Sequence, residues 1–478
     1  MPQNRIPYFA EYLYVSPSPS SGFCFLHYTG LLNNNFENIS QNHNLLKEIN
    51  RVQNVSFSFS PSRTEIKQLG KRSQVSYPNV NPPNIRLDFE YLLNGLKNDA
   101  RIGLNVNYSQ YQYPNSGGTP FYSNNFAVNV LSGLMGRQLT QPTGDPYFPL
   151  ATRDNRNIFL VRCNETDQFL KHGKENLSNP DFTQAGADPE STGYQVFAFG
   201  NCFLDSYHTQ GAVHSMPSSS VSFSCENVAF YMSGSGCNIP AINTQTRQIV
   251  NSNKFVIPIS MNEGGPYILN PGDIALSIVI SGNPTLDSTK TGLGIDFNNI
   301  LINSYQIGMN FNRDVLGSIG YKCPLDRQIN FPVFVDLNFG MTVGDTTSGT
   351  FIDLLNVDSG YNITIQLKNP DHCHPFTTQN TNPRQSGPVF TGENLVAIQY
   401  DFKDAKFMGI NYNTAIGSNK TASLSFRGEI DPDVTGKGFY VSGLLNIEKL
   451  EDFLIDENGS FVIDENGAPI VGNLIPLY

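Results

Sequence analysis

The sequence predicts a mainly β protein made of two tandem antiparallel β-sandwich or half-barrel units, each with a flanking helix, followed by a small C-terminal β-meander. Length, composition and an internal repeat predict this class. The 478 residues exceed what one ordinary hydrophobic core serves, so two units are expected. Charged residues make up 15%, whereas 33 Phe and 22 Tyr favour strands, and 41 Gly and 30 Pro supply many turns.

Alternating side chains predict individual strands. Val55, Phe57 and Phe59 are separated by Ser56 and Ser58, so one face of such a strand is apolar and the other polar. A strand of this kind has one buried face and one face in water, which is typical of antiparallel sheets. The same period of two recurs at 85–91, 221–224 and 305–312.

A first block of the sequence recurs when residue numbers are raised by 250, which we call the first displacement. Arg63 then falls on Arg313, and Leu87 falls on Leu337. Because the matches keep their order and need no gap, they indicate a copied unit rather than a shared composition. The first displacement also matches Gly22 with Gly272, Gly70 with Gly320, Pro82 with Pro332 and Phe89 with Phe339.

A second block recurs when residue numbers are raised by 203, the second displacement. The segment SVSF at 220–223 falls on SLSF at 423–426, and Glu226 falls on Glu429. Because the two displacements differ by 47, the first copy is expected to carry an insertion of that size. Two blocks in one order, with one change of length between them, favour a tandem duplication.

These matches set the expected boundaries. Unit one spans 1–245 with a helix and loop insertion at about 105–200, where 124–137 is the best helix candidate. A linker arm at 246–269 leads to unit two at 270–445. In the extension at 446–478 the motif IDENG occurs at 455 and at 463, and Asn-Gly pairs of this kind are typical of tight hairpin turns.

Charge and targeting signals narrow the class of protein. The net charge of −11 and the pI near 5.1 disfavour a protein that grips nucleic acid, because such a protein needs a basic face to displace counterions from phosphate. The sequence shows neither a secretory signal nor an apolar run of membrane-spanning length, and its seven cysteines are unpaired by spacing. Assembly in a reducing cytoplasm is therefore expected.

Motifs for catalysis are missing from the sequence, so an enzyme is not predicted. Phosphate-binding loops, HExxH and G-x-S-x-G are absent. The segment 431–436 begins like a calcium loop but has Ser442 where a bidentate Glu is needed. His372 and His374 would share one face of a strand, yet the sequence shows no second cluster at zinc spacing. We therefore expect no cofactor and no metal.

Arg63 and Arg313 are the charged residues that stay identical across the first block. One interpretation is an interface arginine that meets a carboxylate on an adjacent unit, with Glu226 and Glu429 as the candidates, since Arg suits bidentate contacts at interfaces. The other interpretation is a turn residue that follows a strand. The sequence alone leaves both open.

Two groups of motifs carry a resemblance to a known family. The segments 200–207 (GNCFLDSY) and 211–223, together with 62–70 and 82–93 (PPNIRLDFEYLL), resemble the tail tube proteins of tailed bacteriophages. Unit two departs from this pattern, because NKTA stands at 419–422 where unit one has MPSS at 216–219.

The resemblance implies a tube domain of two sheets with a flanking helix. Six such domains would close a ring whose inner strands surround a DNA channel, so three copies of a two-domain chain would suffice. The implied partners are further copies in stacked rings, other tail proteins, and genomic DNA that passes without specific binding; the implied location is the virion. The lumen candidates are Ser56, Ser58, Asp88, Glu90, Asn310, Asp336, Asn338, Ser222 and Ser425.

Other classes of β protein remain open from the sequence. A capsid, collar or adhesin-type virion protein would also be long, aromatic and rich in turns. A glycan-binding or hydrolytic β protein is less favoured, because the chain has no Trp for a sugar platform.

Overall fold

The computed structural model describes the strands and a short helix in detail and confirms a mainly β protein with a large antiparallel sheet. The described residues are 11–17, 47–79, 83–104, 106–109, 130–133, 155–163, 194–232, 237–238, 240, 242, 254–255, 274–280, 300–317, 324, 326–343, 360–368, 396–413, 421–430 and 437–444.

The first half of the chain supplies the elements that we call the N-terminal set. Its strands alternate apolar and polar residues, as in NIRLDFEYL, so one face of each strand is buried. The elements are β1 (Glu11–Pro17), β2 (Lys47–Glu48), β3 (Val52–Ser60), β4 (Asn84–Leu92), α1 (Lys97–Ile102), β5 (Asn107–Ser109), a 3₁₀ turn (Val130–Gly133), β6 (Arg156–Cys163), β7 (Tyr194–Ala212), β8 (Ser215–Cys225) and β9 (Asn227–Met232).

The second half supplies the C-terminal set, and a two-stranded pair lies between the two sets. That pair is β10 (Cys237–Asn238) with β11 (Lys254–Phe255). The C-terminal set comprises β12 (Ile274–Ile280), β13 (Ile300–Asn310), β14 (Arg313–Leu316), β15 (Asp326–Ile329), β16 (Val333–Val343), β17 (Tyr361–Lys368), β18 (Val396–Asn413), β19 (Thr421–Ile430) and β20 (Gly438–Leu444).

Each set contains the same order of strands. In the N-terminal set β3, β4, β8 and the second half of β7 form one layer, while the first half of β7 pairs with β6 and β9, and β6 pairs with β1. In the C-terminal set β13, β16, β19 and β18 form the first layer, and β18 continues into pairs with β17 and β20. The strands that pair with the first halves of β7 and β18 form what we call the outer layer of each set. One long strand, β7 or β18, therefore belongs to both layers of its set.

The pairing registers of the two sets agree residue by residue. In β3 and β4 Val55 pairs with Phe89, and in β13 and β16 Tyr305 pairs with Phe339, which is the same pair after the first displacement. The register irregularity between Val52 and Asn54 recurs between Ile302 and Ser304, again at the first displacement. The blocks found in the sequence thus lie in corresponding strands.

The second displacement also has a structural counterpart. It carries the register shift of β7 with β8, between Leu204 and Ser206, onto that of β18 with β19, between Phe407 and Gly409. Asn201 and Asp404, which correspond in the same way, both have positive φ (50° and 59°). Such left-handed residues suit the place where the long strand leaves one layer for the other.

The core lies between the two layers of each set. Phe57 of β3 contacts Phe197 and Phe199 of β7, with ring centroids 5.4 and 5.3 Å apart. In the other set Tyr361 of β17 meets the ring of Phe426 of β19 at 5.6 Å. These rings stand on the apolar faces that the alternation predicts, so burial of aromatic surface holds the layers together.

Several expected features fall elsewhere or outside the described residues. The described helix, α1 at 97–102, precedes the predicted helix at 124–137, of which 130–133 form a 3₁₀ turn. The expected insertion at about 105–200 contains β6 and the start of β7, which are strands of the outer layer. The linker at 246–269 contains β11. The extension at 446–478 lies outside the described residues. Among the described helices, none is long and apolar enough to cross a membrane.

Candidate assembly interface

The two sets are joined by a direct pairing of β7 with β13, which we call the closed joint. The strands are antiparallel, and the register runs from Ser206 opposite Asn310 to Ala212 opposite Ser304. The joint links the two first layers into the continuous order β3-β4-β8-β7-β13-β16-β19-β18. One antiparallel surface therefore runs through both halves of the chain.

Two glycines allow the closed joint to fit tightly. A Cβ at Gly211 would lie 2.6 Å from Cε1 of Tyr305, its partner across the joint. A Cβ at Gly308 would lie 2.7 Å from Nδ1 of His208, which is also directly opposite. Each large side chain thus covers the backbone of the facing strand, because the residue opposite it is a glycine and has no side chain.

A buried carboxyl group lies behind the closed joint. Asp99 of α1 accepts hydrogen bonds on Oδ1 from the hydroxyls of Tyr91 (2.9 Å) and Tyr207 (2.7 Å). Burial raises the pKa of Asp99 to about 6, and the two tyrosine hydrogen bonds oppose that rise. From the C-terminal set, the Tyr400 hydroxyl lies 3.4 Å from Oγ1 of Thr209 on β7. The contact between the two sets therefore includes buried polar groups that satisfy each other's hydrogen-bonding capacity.

A second strand contact ties the same region. After α1 ends at Gly103, which has a left-handed φ of 111°, the chain forms β5. This strand pairs in parallel with β20 of the C-terminal set, from Asn107 opposite Ser442 to Ser109 opposite Leu444. The N-terminal set consequently pairs with two parts of the C-terminal set, with β13 of its first layer and with β20 of its outer layer.

The hairpin of β14 and β15, which we call the C-terminal arm, reaches across the closed joint. Nε and Nη2 of Arg313 donate to the carbonyl oxygen of Leu204 at 3.2 and 3.1 Å. The guanidinium carbon also lies 5.3 Å from the centre of the Phe203 ring. Arg313 thus anchors the arm at the bulge of β7, where the register shift leaves a carbonyl to be satisfied.

A second arginine of the C-terminal arm completes this contact. The guanidinium carbon of Arg327 lies 5.7 Å from the Phe203 ring centre, and its Nε lies 3.7 Å from Oε1 of Glu226. Glu226 is buried and accepts a hydrogen bond on Oε2 from Nδ2 of Asn201 at 2.9 Å. The arm therefore neutralises a carboxylate of the other set that water does not reach.

The first layer ends in two strands without a described neighbour on their outer side, β3 and the 409–413 part of β18, which we call the open edges. Phe59 of β3 is 53% exposed, whereas the corresponding Met309 of β13 is 0% exposed. Tyr412 of β18 is 45% exposed, whereas the corresponding Thr209 of β7 is 0% exposed. The open edges thus present side chains whose counterparts the closed joint buries.

The N-terminal set has an arm of its own at 61–79, the N-terminal arm. Arg63 bridges Asn79 and Ile66 bridges Ser76, and the first displacement turns these pairs into Arg313 with Ile329 and Leu316 with Asp326. Main-chain hydrogen bonds hold the hairpin, including Thr64 N to Pro78 O and Ile66 N to Ser76 O, both 3.0 Å. Its side chains are mostly exposed, so it projects from the body of the chain.

The polar side chains of the first layer gather on one face. Ser56 lies opposite Asp88, which lies opposite Ser222, and directly paired residues of antiparallel strands share a face. Ion pairs cross this face from Arg86 Nε to Asp88 Oδ1 (2.9 Å) and from Arg427 Nε to Asp336 Oδ1 (2.7 Å). By the same registers, every lumen candidate stands on it: Ser56, Ser58, Asp88, Glu90, Ser222, Asn310, Asp336, Asn338 and Ser425.

The four predicted interface residues occupy corresponding places in the two sets. Arg313 donates to a main-chain carbonyl of the other set and also acts electrostatically on the carboxylate of Asp205 in β7, while Glu226 faces Arg327. Arg63 and Glu429 are exposed in the single chain. Sequence comparison missed Arg327, because the first displacement matches it with Tyr77 and the pair shows no similarity.

Metal ligands are not clustered in the part of the chain that the structure describes, where no group of three His, Cys, Asp or Glu side chains could hold an ion. His372, His374 and the segment 431–436 lie outside the described residues. No protein-family model matches the chain, and no curated protein matches its sequence.

Proposed function

We propose that this protein is a structural subunit of a phage tail tube, in which copies join edge to edge into a closed ring and rings stack into a conduit for DNA. The observation that carries this proposal is the closed joint itself. The described residues contain one complete joint, β7 with β13, and also the two strands that correspond to its halves, β18 and β3, each without a described neighbour on its outer side. A second copy supplies the missing partner for each.

The register of the closed joint gives the register of the joint between copies. Applying the first displacement backwards to β13 and the second forwards to β7 converts one joint into the other, as the two displacements do elsewhere in the fold. The described pairs that result are Ser56 with Asn413, Phe57 with Tyr412, Ser58 with Asn411, Phe59 with Ile410 and Ser60 with Gly409.

The side chains at these positions are complementary in size. Where the closed joint sets His208 against Gly308, the joint between copies sets Asn411 against Ser58, so one large and one absent side chain become two of middle size. On the opposite face Phe57 and Phe59 meet Tyr412 and Ile410. Burial of these apolar groups on association supplies a hydrophobic driving force.

The contact is heterologous, because β18 of one copy meets β3 of the next. Such a contact closes into a ring when its rotation divides the circle, and closure leaves no strand edge exposed. We infer that the two sets descend from a tandem duplication of one tube domain and that three chains form a ring of pseudo-sixfold symmetry. A single-domain ancestor would need six chains for the same ring.

The polar face is proposed to line the channel, since the opposite face packs against the outer layer. It carries serines, asparagines and carboxylates, and its described cations Arg86, Arg427 and Lys406 are each paired with an aspartate. Paired cations offer DNA little free positive charge, and unpaired carboxylates repel phosphate. A lumen of this kind lets DNA pass without being held.

Disulfide trapping tests the proposed register. Directly opposed residues in antiparallel strands have Cα atoms about 4.5–5.5 Å apart, which suits a disulfide. Ser58→Cys combined with Asn411→Cys is expected to cross-link between chains under mild oxidation, and the ladder on a non-reducing gel is expected to stop at trimer. The control combines Ser58→Cys with Asn413→Cys, which is offset along the strand and is expected to cross-link far less.

Negative-stain microscopy of the purified protein tests the same proposal independently. Rings or tubes are expected. Shells would instead favour a capsid-type protein, and dispersed particles would contradict assembly. A cross-linking ladder that continues past trimer would contradict closure, and equal cross-linking of the offset pair would contradict the register.

A further inference from the structure

We propose that the N-terminal arm clasps the next copy in the ring, where it binds the C-terminal set as the C-terminal arm binds the N-terminal set within one chain. This inference rests on the proposed ring. The first displacement relates the bridges of the two arms, and each arm follows directly on a strand of a joint. The C-terminal arm is seated across its joint, while the N-terminal arm stands exposed beside an open edge.

Arg63 is assigned to the main-chain carbonyl of Phe407 on the next copy. Its counterpart Arg313 donates two hydrogen bonds to the carbonyl of Leu204, which lies at the bulge of β7. Phe407 occupies the corresponding position, because the bulge of β18 begins there. The contact uses a backbone carbonyl, so it does not depend on which side chain the next copy presents.

In the second contact of the N-terminal arm, the aromatic residue and the cation are exchanged relative to the C-terminal arm. In the closed joint Arg327 of the arm lies over the ring of Phe203, 5.7 Å from its centre. The corresponding residues for the joint between copies are Tyr77 on the arm and Lys406 on β18. The aromatic ring and the cation have changed sides, and a cation–π contact is still available between them.

Tyr77 can also contact the counterpart of the carboxylate that Arg327 contacts. Arg327 lies 3.7 Å from Glu226, and the corresponding carboxylate is Glu429, which is exposed on β19. A tyrosine hydroxyl donates a hydrogen bond to a carboxylate, so Tyr77 can replace the arginine towards Glu429 while its ring faces Lys406. Tyr77 is 51% exposed in the single chain, which leaves it available for this contact.

Exchanging the aromatic ring and the cation between the two positions tests the clasp. Tyr77→Arg alone sets a guanidinium against Lys406 and is expected to raise the protein concentration needed for half-assembly about 10-fold, which corresponds to roughly 1.4 kcal/mol. Adding Lys406→Phe recreates the arrangement of the closed joint and is expected to return that concentration to within about 3-fold of wild type. Sedimentation velocity over a dilution series measures both values.

Arg72→Ala is the matched control, because Arg72 lies on the same arm near its turn and is exposed. It is expected to assemble like wild type, and unchanged circular dichroism of the Tyr77→Arg protein excludes misfolding. Failure of the double variant to recover, or normal assembly of Tyr77→Arg, would overturn the clasp and leave the ring standing. A wild-type protein that stays monomeric would instead overturn the proposed function.

Discussion

The closed joint and the open edges occupy corresponding places in the two sets, but their side chains differ in kind. Behind the closed joint lie polar groups, namely Asp99 with Tyr91, Tyr207 and Thr209. The counterparts of those last three are the buried Met341 of β16 and, on the open edge of β18, Ile410 and Tyr412. The joint within the chain is polar and tight, and the proposed joint between chains is more apolar.

This difference fits the role proposed for each joint. A contact inside one chain forms whenever the chain folds, so it tolerates buried polar groups that contribute little net free energy but fix a unique geometry. A contact between chains has to offset the loss of translational and rotational freedom, and apolar burial is the usual means. The comparison therefore separates a contact that specifies position from one that drives association.

The largest effect is expected from Tyr412→Asp at the open edge of β18. The aspartate is harmless in a single chain, since Tyr412 is 45% exposed there, but the proposed joint would bury an unpaired carboxylate. Assembly is expected to weaken on the order of 100-fold, as measured by sedimentation. Met216→Asp, at a similarly exposed position of β8 away from the open edges, is the control. Equal weakening by both changes would contradict the assignment.

An effect of similar size is expected for Asp99 behind the closed joint. Because its pKa rises from 3.8 to about 6 on folding, the folded state holds this proton after the unfolded state has lost it. Its contribution to stability is therefore full below pH 4 and falls as the pH rises towards 6, by about 3 kcal/mol. Asp99→Asn removes this dependence.

Urea unfolding of both proteins between pH 4 and pH 7 measures the difference. The free energy of unfolding of the Asn variant relative to wild type is expected to rise over that interval and to level off above pH 6. Subtraction cancels the other carboxyl groups, so a flat difference curve would show that Asp99 does not titrate in this range.

A smaller effect is expected from Gly211→Ala in the closed joint. The added Cβ would meet Tyr305 at 2.6 Å, and overpacking of this kind costs about 1–3 kcal/mol. The sequence has Thr414 and Val55 at the corresponding positions, so combining Gly211→Ala with Tyr305→Val is expected to recover part of the loss. Thermal unfolding measures both variants, and a double variant less stable than the sum of its single changes would contradict this explanation.

The smallest effect on folding is expected from Asp88→Lys with Glu90→Lys on the polar face. The free energy of unfolding is expected to fall by at most about 1 kcal/mol, because the changes lie at the surface but remove the ion pair of Asp88 with Arg86, and tubes are expected to form. Tubes with this lumen are expected to retain DNA in a salt-dependent way and to deliver genomes poorly. Salt-dependent DNA retention by purified tubes and the infectivity of phage carrying them measure this, and unchanged delivery would remove support for the lumen assignment.

The strand pattern of the first layer could be predicted from the sequence because it rests on local alternation. Val55, Phe57, Leu87 and Phe89 alternate with polar residues and lie in β3 and β4 as expected. The outer strand β6 lies in the stretch that the sequence predicts as an insertion, since its run RNIFLVRC is apolar without clear alternation and the repeat is not recognisable there. Where both faces are covered, period two disappears.

The candidate interface was predictable in part, since Arg313 and Glu226 stood out as repeated charges. Asp99 did not stand out, because its importance comes from Tyr207, which is far away along the chain, and from burial that the sequence does not display. Arg327 and Tyr77 were missed for a related reason. In the proposed clasp the ring and the cation change sides, and such an exchange keeps the chemistry of the contact while it removes the sequence similarity.

The pairing of β7 with β13 inside a single polypeptide also sets how assembly responds to dilution. If three such chains close a ring, the yield of rings varies with the third power of free subunit concentration, whereas six separate domains would require the sixth power. Half of the joints in such a ring lie within one chain, where the effective concentration is high, and they would persist on dilution that dissociates the joints between chains. Under this proposal the subunit would nucleate rings at a low concentration, before its full amount has been synthesised.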